Sequence, residues 1–191
     1  AERNHFLHLM SEETVHMKRL IDDMLLLANS DADTLTIKPE ACQPDLLLLD
    51  TYEKFEPLAK KNGIHLILTL PEEILPDCFC DIHRTEQIFS IIVDNALCYT
   101  PIGGKVTLSC HAENEMLCFL FEDTGCGISE EKKSHIFERF YRADDAHTDR
   151  EHFGLGLCIA KELTEKQNGN IQVVDAPISG SCFMVQLPCV L

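Results

Sequence analysis

Apolar residues open the chain at helical spacing. Phe6, Met10, Met17, Leu20, Met24 and Leu27 fall three, four or seven apart, Glu13 fills the gap as the polar exception, and Ile21, Leu25 and Ala28 widen the stripe. The pattern predicts one helix from about Asn4 to Asn29. At 1.5 Å per residue it extends roughly 39 Å, and so long a helix with one wet face wants a partner helix. Ser30-Asp31-Ala32-Asp33 reads as a break and linker. An α/β alternation follows. Strands are expected at Leu35 to Lys38, Ile64 to Leu70 and Asp77 to Cys80, and helices at Pro44 to Lys61 and Ile82 to Tyr99. Pro44 near the first turn and Asn62-Gly63 after the last bound the earlier helix. Lys105 to Ala112 and Met116 to Glu122 read as a hairpin around Glu113-Asn114-Glu115. Ser129 to Tyr141 reads as mostly helical, Arg142 to Glu151 as polar and irregular, and Phe153 to Gln167 as a helix closed by Asn168-Gly169. Ile171 to Asp175 and Ser181 to Leu187 are expected as the last strands. Together these predict an α+β fold: a two-layer α/β sandwich, a mixed sheet with three helices on one face, preceded by a long N-terminal helix.

Composition narrows the options. At 191 residues, 45% hydrophobic and 25% charged, the chain has apolar mass for one substantial core. No apolar run approaches the roughly 20 residues that span a bilayer, and no signal peptide is visible. The net charge of −16 repels nucleic acid and anionic lipid, so nucleic acid is excluded as a partner. A polyanionic ligand would need a metal ion and local basic residues against that field. The ten cysteines are scattered, with Cys98, Cys110, Cys118, Cys158 and Cys182 in apolar patterns. They read as reduced, small core residues of a cytosolic protein. Cys78 and Cys80 could pair on a metal, but no second Cys/His pair stands at zinc spacing, so they too are read as core.

Four short motifs carry candidate chemistry. Asp94-Asn95-Ala96, followed by Tyr99-Thr100-Pro101, lies near a helix end. An inward carboxamide at Asn95 is an oxygen ligand suited to Mg²⁺, and Tyr99, one turn on, can lie against a purine. Asp123-Thr124-Gly125-Cys126-Gly127-Ile128 hangs a carboxylate at a strand end, with glycines that let a flat ligand approach the main chain. Ile136-Phe137-Glu138-Arg139-Phe140-Tyr141-Arg142 is an aromatic anchor with two arginines. Gly154-Leu155-Gly156-Leu157 opens a helix, where free N–H groups and the dipole favour phosphate. Each motif alone also fits a plain turn, a cap or ordinary core. Their order and spacing together do not.

That order resembles the ATP-binding domain of sensor histidine kinases, within the wider group that includes HSP90, MutL and type II topoisomerases. The motifs resemble, in turn, the N box, the G1 box, the F box and the G2 box, and Gly180-Ser181-Cys182-Phe183 is similar to the family's last Gly-Ser/Thr-x-Phe strand. Arg19-Leu20-Ile21-Asp22-Asp23-Met24-Leu25 resembles the second helix of the dimerisation and phosphoacceptor domain. The resemblance implies residues 1–30 as part of that helix and 31–191 as the catalytic ATP-binding domain. It implies Asn95 on Mg²⁺, Asp123 on the adenine amino group with Ser181 nearby through water, and Tyr99 packed on adenine. Gly125, Gly127 and Ile128 would floor the pocket, and Tyr141 would flank it. Arg142 would reach the phosphates, Ala143 to Phe153 would form the ATP lid, and Gly154, Leu155, Gly156 and Leu157 would seat the phosphates. It further implies a phosphoacceptor helix and a response-regulator receiver domain as partners, a homodimeric parent anchored in the bacterial membrane, and a cytoplasmic position for this region.

The sequence departs from the family pattern in four places. His5, His8 and His16 lack the phosphoacceptor context, so the chain is expected to start after the reactive helix, and no catalytic residue is assigned within it. Ile91 stands where kinases of this group carry Asn, Cys98 where a phosphate-binding Lys is common, and Glu151-His152-Phe153 replaces the glycines before Gly154. Arg150 or His152 would then rebuild the phosphate contacts. The leading expectation is a histidine kinase region that transfers the ATP γ-phosphoryl to a histidine elsewhere. The alternatives are a degenerate regulatory nucleotide-binding module and a purely structural dimerisation protein, which explains the leading helix but not the four motifs.

Overall fold

The computed structural model describes residues 2–142, 153–177 and 179–190. The element order is α1 (Glu2–Asp31), β1 (Glu40–Cys42), α2 (Pro44–Lys61), β2 (His65–Thr69), β3 (Cys78–Cys80), α3 (Ile82–Tyr99), β4 (Lys105–Glu113), β5 (Met116–Asp123), α4 (Glu130–Lys133), α5 (Gly156–Glu165), β6 (Asn170–Asp175) and β7 (Ser181–Pro188).

Five strands form the main sheet in the order β2-β4-β5-β7-β6, with β2 parallel to β4 and every other neighbour antiparallel. The β4–β5 hairpin closes on Asn114 and Glu115, both left-handed at φ 51° and 63°, the geometry that suits the twist of a two-residue turn. Strict alternation along the central strands decides which face is buried. Leu108 opposes Phe121 and Cys110 opposes Phe119, while Phe121 opposes Phe183 and Leu117 opposes Leu187. All of these point to the helical layer formed by α2, α3 and α5, the expected one-sided sandwich. Phe89 of α3 sits with its ring 4.8 Å from Phe119 and 5.0 Å from Phe121, at the centre of the core.

α3 is the helix that carries the first motif, and its start is fixed with care. Asp81 caps it by accepting the Arg84 N–H at 3.1 Å, and its other oxygen accepts the Lys38 N–H at 2.9 Å. The buried Gln167 carboxamide oxygen accepts the Asp81 N–H at 2.7 Å, tying the end of the α5 segment to the start of α3.

Four expectations about elements are corrected. No strand forms at 35–38; pairing begins at Glu40, because only there does β3 run alongside, with Glu40 opposite Cys80 and Cys42 opposite Cys78. The proposed linker is helical through Asp31, and Ser30 is buried with its hydroxyl donating to Glu162, so the chain there is docked rather than free. The stretch after Ser129 is helical only at Glu130–Lys133. Beyond it, single turns follow, because Phe140 is left-handed at φ 63° and donates its N–H to the Gly154 carbonyl. That same bond delays α5 to Gly156, since Gly154 at φ +73° cannot be helical. The lid expected at Ala143 to Phe153, with Arg150 and the Glu151-His152 pair, lies outside the described residues apart from Phe153.

Among the described residues of α1, Leu26, Leu27 and Ser30 are buried against the body, and Leu20 is partly buried on the core. Arg139 makes a bidentate pair with Asp31, at 2.6 and 2.8 Å, and Lys166 meets Asp33 at 2.5 Å. Further up the helix Phe6, Met10, Val15, Met17, Ile21 and Met24 are exposed. No helix of the described residues is long and apolar enough to cross a membrane.

Candidate functional site

A cleft of about 810 Å³ opens between α3, the C-terminal end of β5, the segment around Tyr141 and the start of α5. That volume suits a nucleotide-sized ligand. Asn95, Tyr99, Asp123, Gly127, Ile128, Tyr141, Arg142, Gly154, Leu155, Gly156, Leu157 and Ser181 all line it. Residues 58 positions apart in sequence meet at its floor because β5 and β7 are antiparallel neighbours.

Asp123 is only 3% exposed and is the floor's charged group. Its Oδ2 accepts the Ser181 hydroxyl at 2.6 Å and its Oδ1 accepts the Gly125 N–H at 2.7 Å. The serine bond to the carboxylate is direct, and Gly180, at φ +93°, lets β7 run so close that a Cβ there would lie 2.1 Å from the Asp123 carbonyl oxygen. Each carboxylate oxygen keeps a further lone pair, so Asp123 can still accept from an amine donor in the cleft. Gly125 does not line the cleft; it lies behind Asp123, holding the carboxylate from below.

Tyr99 stands at the wall, 45% exposed, as a flat platform one turn after Asn95. Among the described residues no group hydrogen-bonds the half-buried Asn95 carboxamide, so its oxygen is available to a cation. At the other end, α5 begins at the cleft with no side-chain cap. Its first N–H groups are therefore open to an anion.

Cations the sequence reading did not single out also converge here. Arg19, Lys54 and Lys132 line the cleft beside Arg142, against Asp23, Asp94 and Asp123. Lys54 Nζ donates to Ser90 Oγ at 2.8 Å across the α2–α3 groove. Burial raises the Asp23 carboxyl above its usual range, with Arg19 opposing. The only sequence signal for Lys54 is its helical register with the buried Phe55 and the partly buried Leu58, which does not distinguish it from any solvated lysine. The departures are also explained in part. Ile91 packs on α5, with its Cγ2 3.1 Å from where a Cβ of residue 156 would stand. Cys98 does not line the cleft.

Comparison with known proteins accords with this geometry. Residues 80–191 match the family described as histidine kinase-, DNA gyrase B- and HSP90-like ATPase. The adaptive-response sensory kinase SasA of Rippkaea orientalis is 31% identical over 187 residues, 97% of this chain and 47% of that protein. The sensor protein SrrB of Staphylococcus aureus is 32% identical over 185 residues, 95% of this chain and 31% of that protein. The chain thus spans a third to a half of the length of these relatives. In structure it is similar to full-length ShkA in complex with AMPPNP, with a TM-score of 0.86 and 26% identity over 100% of this chain and 39% of that one. A five-stranded mixed sheet under three helices, a buried carboxylate at a strand end facing an uncapped helix start, and the match over residues 80–191 agree: the chain belongs to the histidine kinase-, DNA gyrase B- and HSP90-like ATPase family.

Proposed function

We propose that this chain is the ATP-binding catalytic region of a two-component sensor histidine kinase. Residues 1–30 would belong to the second helix of a dimerisation and phosphoacceptor domain, and 31–191 would bind the nucleotide. The observation that carries the reading is the buried Asp123, pinned by Ser181 and Gly125 at one end of a cleft whose other end is the uncapped α5 N-terminus. Asp123 accepts the adenine amino group, Tyr99 covers the ring, and Gly154 to Leu157 with Arg142 receive the phosphates. The residues present fit a divalent cation: Asn95 offers a neutral oxygen, and Asp94 lies in the same wall. Mg²⁺ bound there would neutralise charge on the phosphate oxygens.

The chain's own residues bind and orient; the nucleophile lies elsewhere. An imidazole nitrogen on a separate helix would form the P–N bond as the γ-phosphorus leaves the β-phosphate oxygen of ADP, with the imidazole proton passing to a base beside that histidine. The exposed apolar stripe of α1 supports a helical partner in a homodimeric parent. The phosphoryl group would pass on to a response-regulator aspartate, and the parent would hold this region on the cytoplasmic side of the membrane.

The test mixes this chain, ATP and Mg²⁺ with a separate fragment that carries the phosphoacceptor helix hairpin. Acid-labile, base-stable phosphate on that fragment is expected. Tight ATP binding without transfer, repeated in the full-length parent, would favour a regulatory nucleotide-binding module instead. Ile91, apolar and packed against Gly156 at the phosphate end, is the observation on that side.

A further inference from the structure

Three cysteines from two distant segments meet outside the cleft. Cys78 and Cys80 are two apart on β3, so their side chains share one face. The antiparallel register sets Cys42 of β1 directly opposite Cys78. The sulfur atoms of all three lie within 4.8 Å of one another, with Cys42 Sγ 3.4 Å from Cys80 Sγ. Cys78 and Cys80 are fully buried, and Cys42 is part exposed, which leaves one way in. None of the three lines the nucleotide cleft.

We propose that Cys42, Cys78 and Cys80 form a binding site for a thiophilic d¹⁰ metal ion, Zn²⁺ or Cu⁺. At a metal–sulfur distance of about 2.3 Å, ligands in a tetrahedral set stand about 3.8 Å apart, so the observed sulfur triangle needs only small rotations to close on an ion. Thiolates select soft ions over Mg²⁺ or Ca²⁺. The neighbouring Asp81 carboxylate is already engaged by the Arg84 and Lys38 N–H groups, and the group of ligand atoms that converges is the three sulfurs. A three-sulfur set suits Cu⁺ as it stands. Zn²⁺ would take a water as its fourth ligand; the backbone of Cys189 pairs with that of Cys78, and its thiol lies outside the group of three. An odd number of convergent thiols also argues against a simple disulfide pair, which would strand the third.

Such an ion would clamp β1, which follows the α1 connection, to β3, which leads straight into the Asp81 cap of α3. β1 and β3 are three residues each, a pairing too short to be stable alone. Binding releases the thiol protons to solvent, so affinity rises with pH.

The full chain, reduced and stripped of metal, is titrated anaerobically with Co²⁺ as a spectroscopic probe for Zn²⁺, and separately with Cu⁺ against a competing chelator. One equivalent per chain is expected, with a thiolate-to-cobalt charge-transfer band. It should vanish in C42S and C80S and persist in C126S, whose thiol is exposed elsewhere. At a hundredfold excess over Kd the thermal midpoint should rise by about 5 °C or more. ATP-analogue affinity unchanged in C42S shows that the variant is folded. Whichever ion binds with the tighter competition constant names the source. Metal retained in C42S, binding below half an equivalent, or a Cys42–Cys80 disulfide with no metal uptake after reduction would overturn the site.

Discussion

Replacing Asp123 by Asn tests the base-reading role with little change of shape. Asp123 is almost fully buried, and both oxygens are engaged, at 2.6 Å by Ser181 and 2.7 Å by Gly125. In D123N the remaining oxygen still accepts from Gly125, and the serine hydroxyl can turn to accept from the new amide. What disappears is the charged acceptor for an incoming amine. A hydrogen bond to a charged group is worth about 1.5–3 kcal/mol, so affinity for an ATP analogue should fall about 10- to 150-fold. The thermal midpoint should move by only a few degrees. Calorimetric titration measures the affinity, and inosine triphosphate supplies the control. Its ring presents a carbonyl where adenine presents an amine, so the native chain should prefer ATP and D123N should lose that preference. If D123N weakens both nucleotides equally, Asp123 supports the floor but does not read the base. If its ATP affinity stays within threefold of native, the assignment fails.

Other outcomes follow from the same geometry. N95A should leave nucleotide affinity in EDTA unchanged and lower it by about tenfold with Mg²⁺, the loss of one metal ligand; equal loss in both conditions would place Asn95 on the nucleotide itself. G180A should cost about 1–3 kcal/mol in urea unfolding, because its Cβ would lie 2.1 Å from the Asp123 carbonyl at a left-handed φ of +93°. The Arg139 hydrogen bonds hold the Asp31 carboxyl below its usual 3.8. Their contribution to docking α1 is therefore complete above pH 3.8 and lost as pH falls through the lowered value. With the acid-slowed intrinsic rate divided out, amide protection in the last turns of α1 should fall over that window, and D31N should reproduce the lower protection at pH 7.

How much the sequence foretold depends on the range of the interaction. α2 and α3 start and stop where it predicted, because their signals are local: Pro44 at the first turn and Asn62-Gly63 at the stop of α2, and for α3 the cap that the structure shows at Asp81. The β4–β5 hairpin is equally local, since alternation and a two-residue turn need only their own segment. The motif residues were legible by type and order; the antiparallel β5–β7 pairing then brings Ser181 to Asp123 at the cleft floor, and the packing of α3 on α5 sets Asn95 and Tyr99 across from Gly154 to Leu157.

Other features depended on which remote segments come together. Arg139 and Arg142 look alike in sequence; the first pairs with Asp31 and only the second lines the cleft. Ser30 to Asp33 reads as a linker until Glu162, Arg139 and Lys166 are placed against it. Lys54 belongs to the cleft only because α2 packs beside α3. Cys78 and Cys80 lack a partner pair in the sequence, and Cys42 joins them solely through the β1–β3 register. The sequence by itself determined the helices, the hairpin and the chemistry available, because periodicity and caps act within a few residues. The tertiary structure decided which of those groups face one another, because register and packing between distant segments place charges and thiols where no local pattern can.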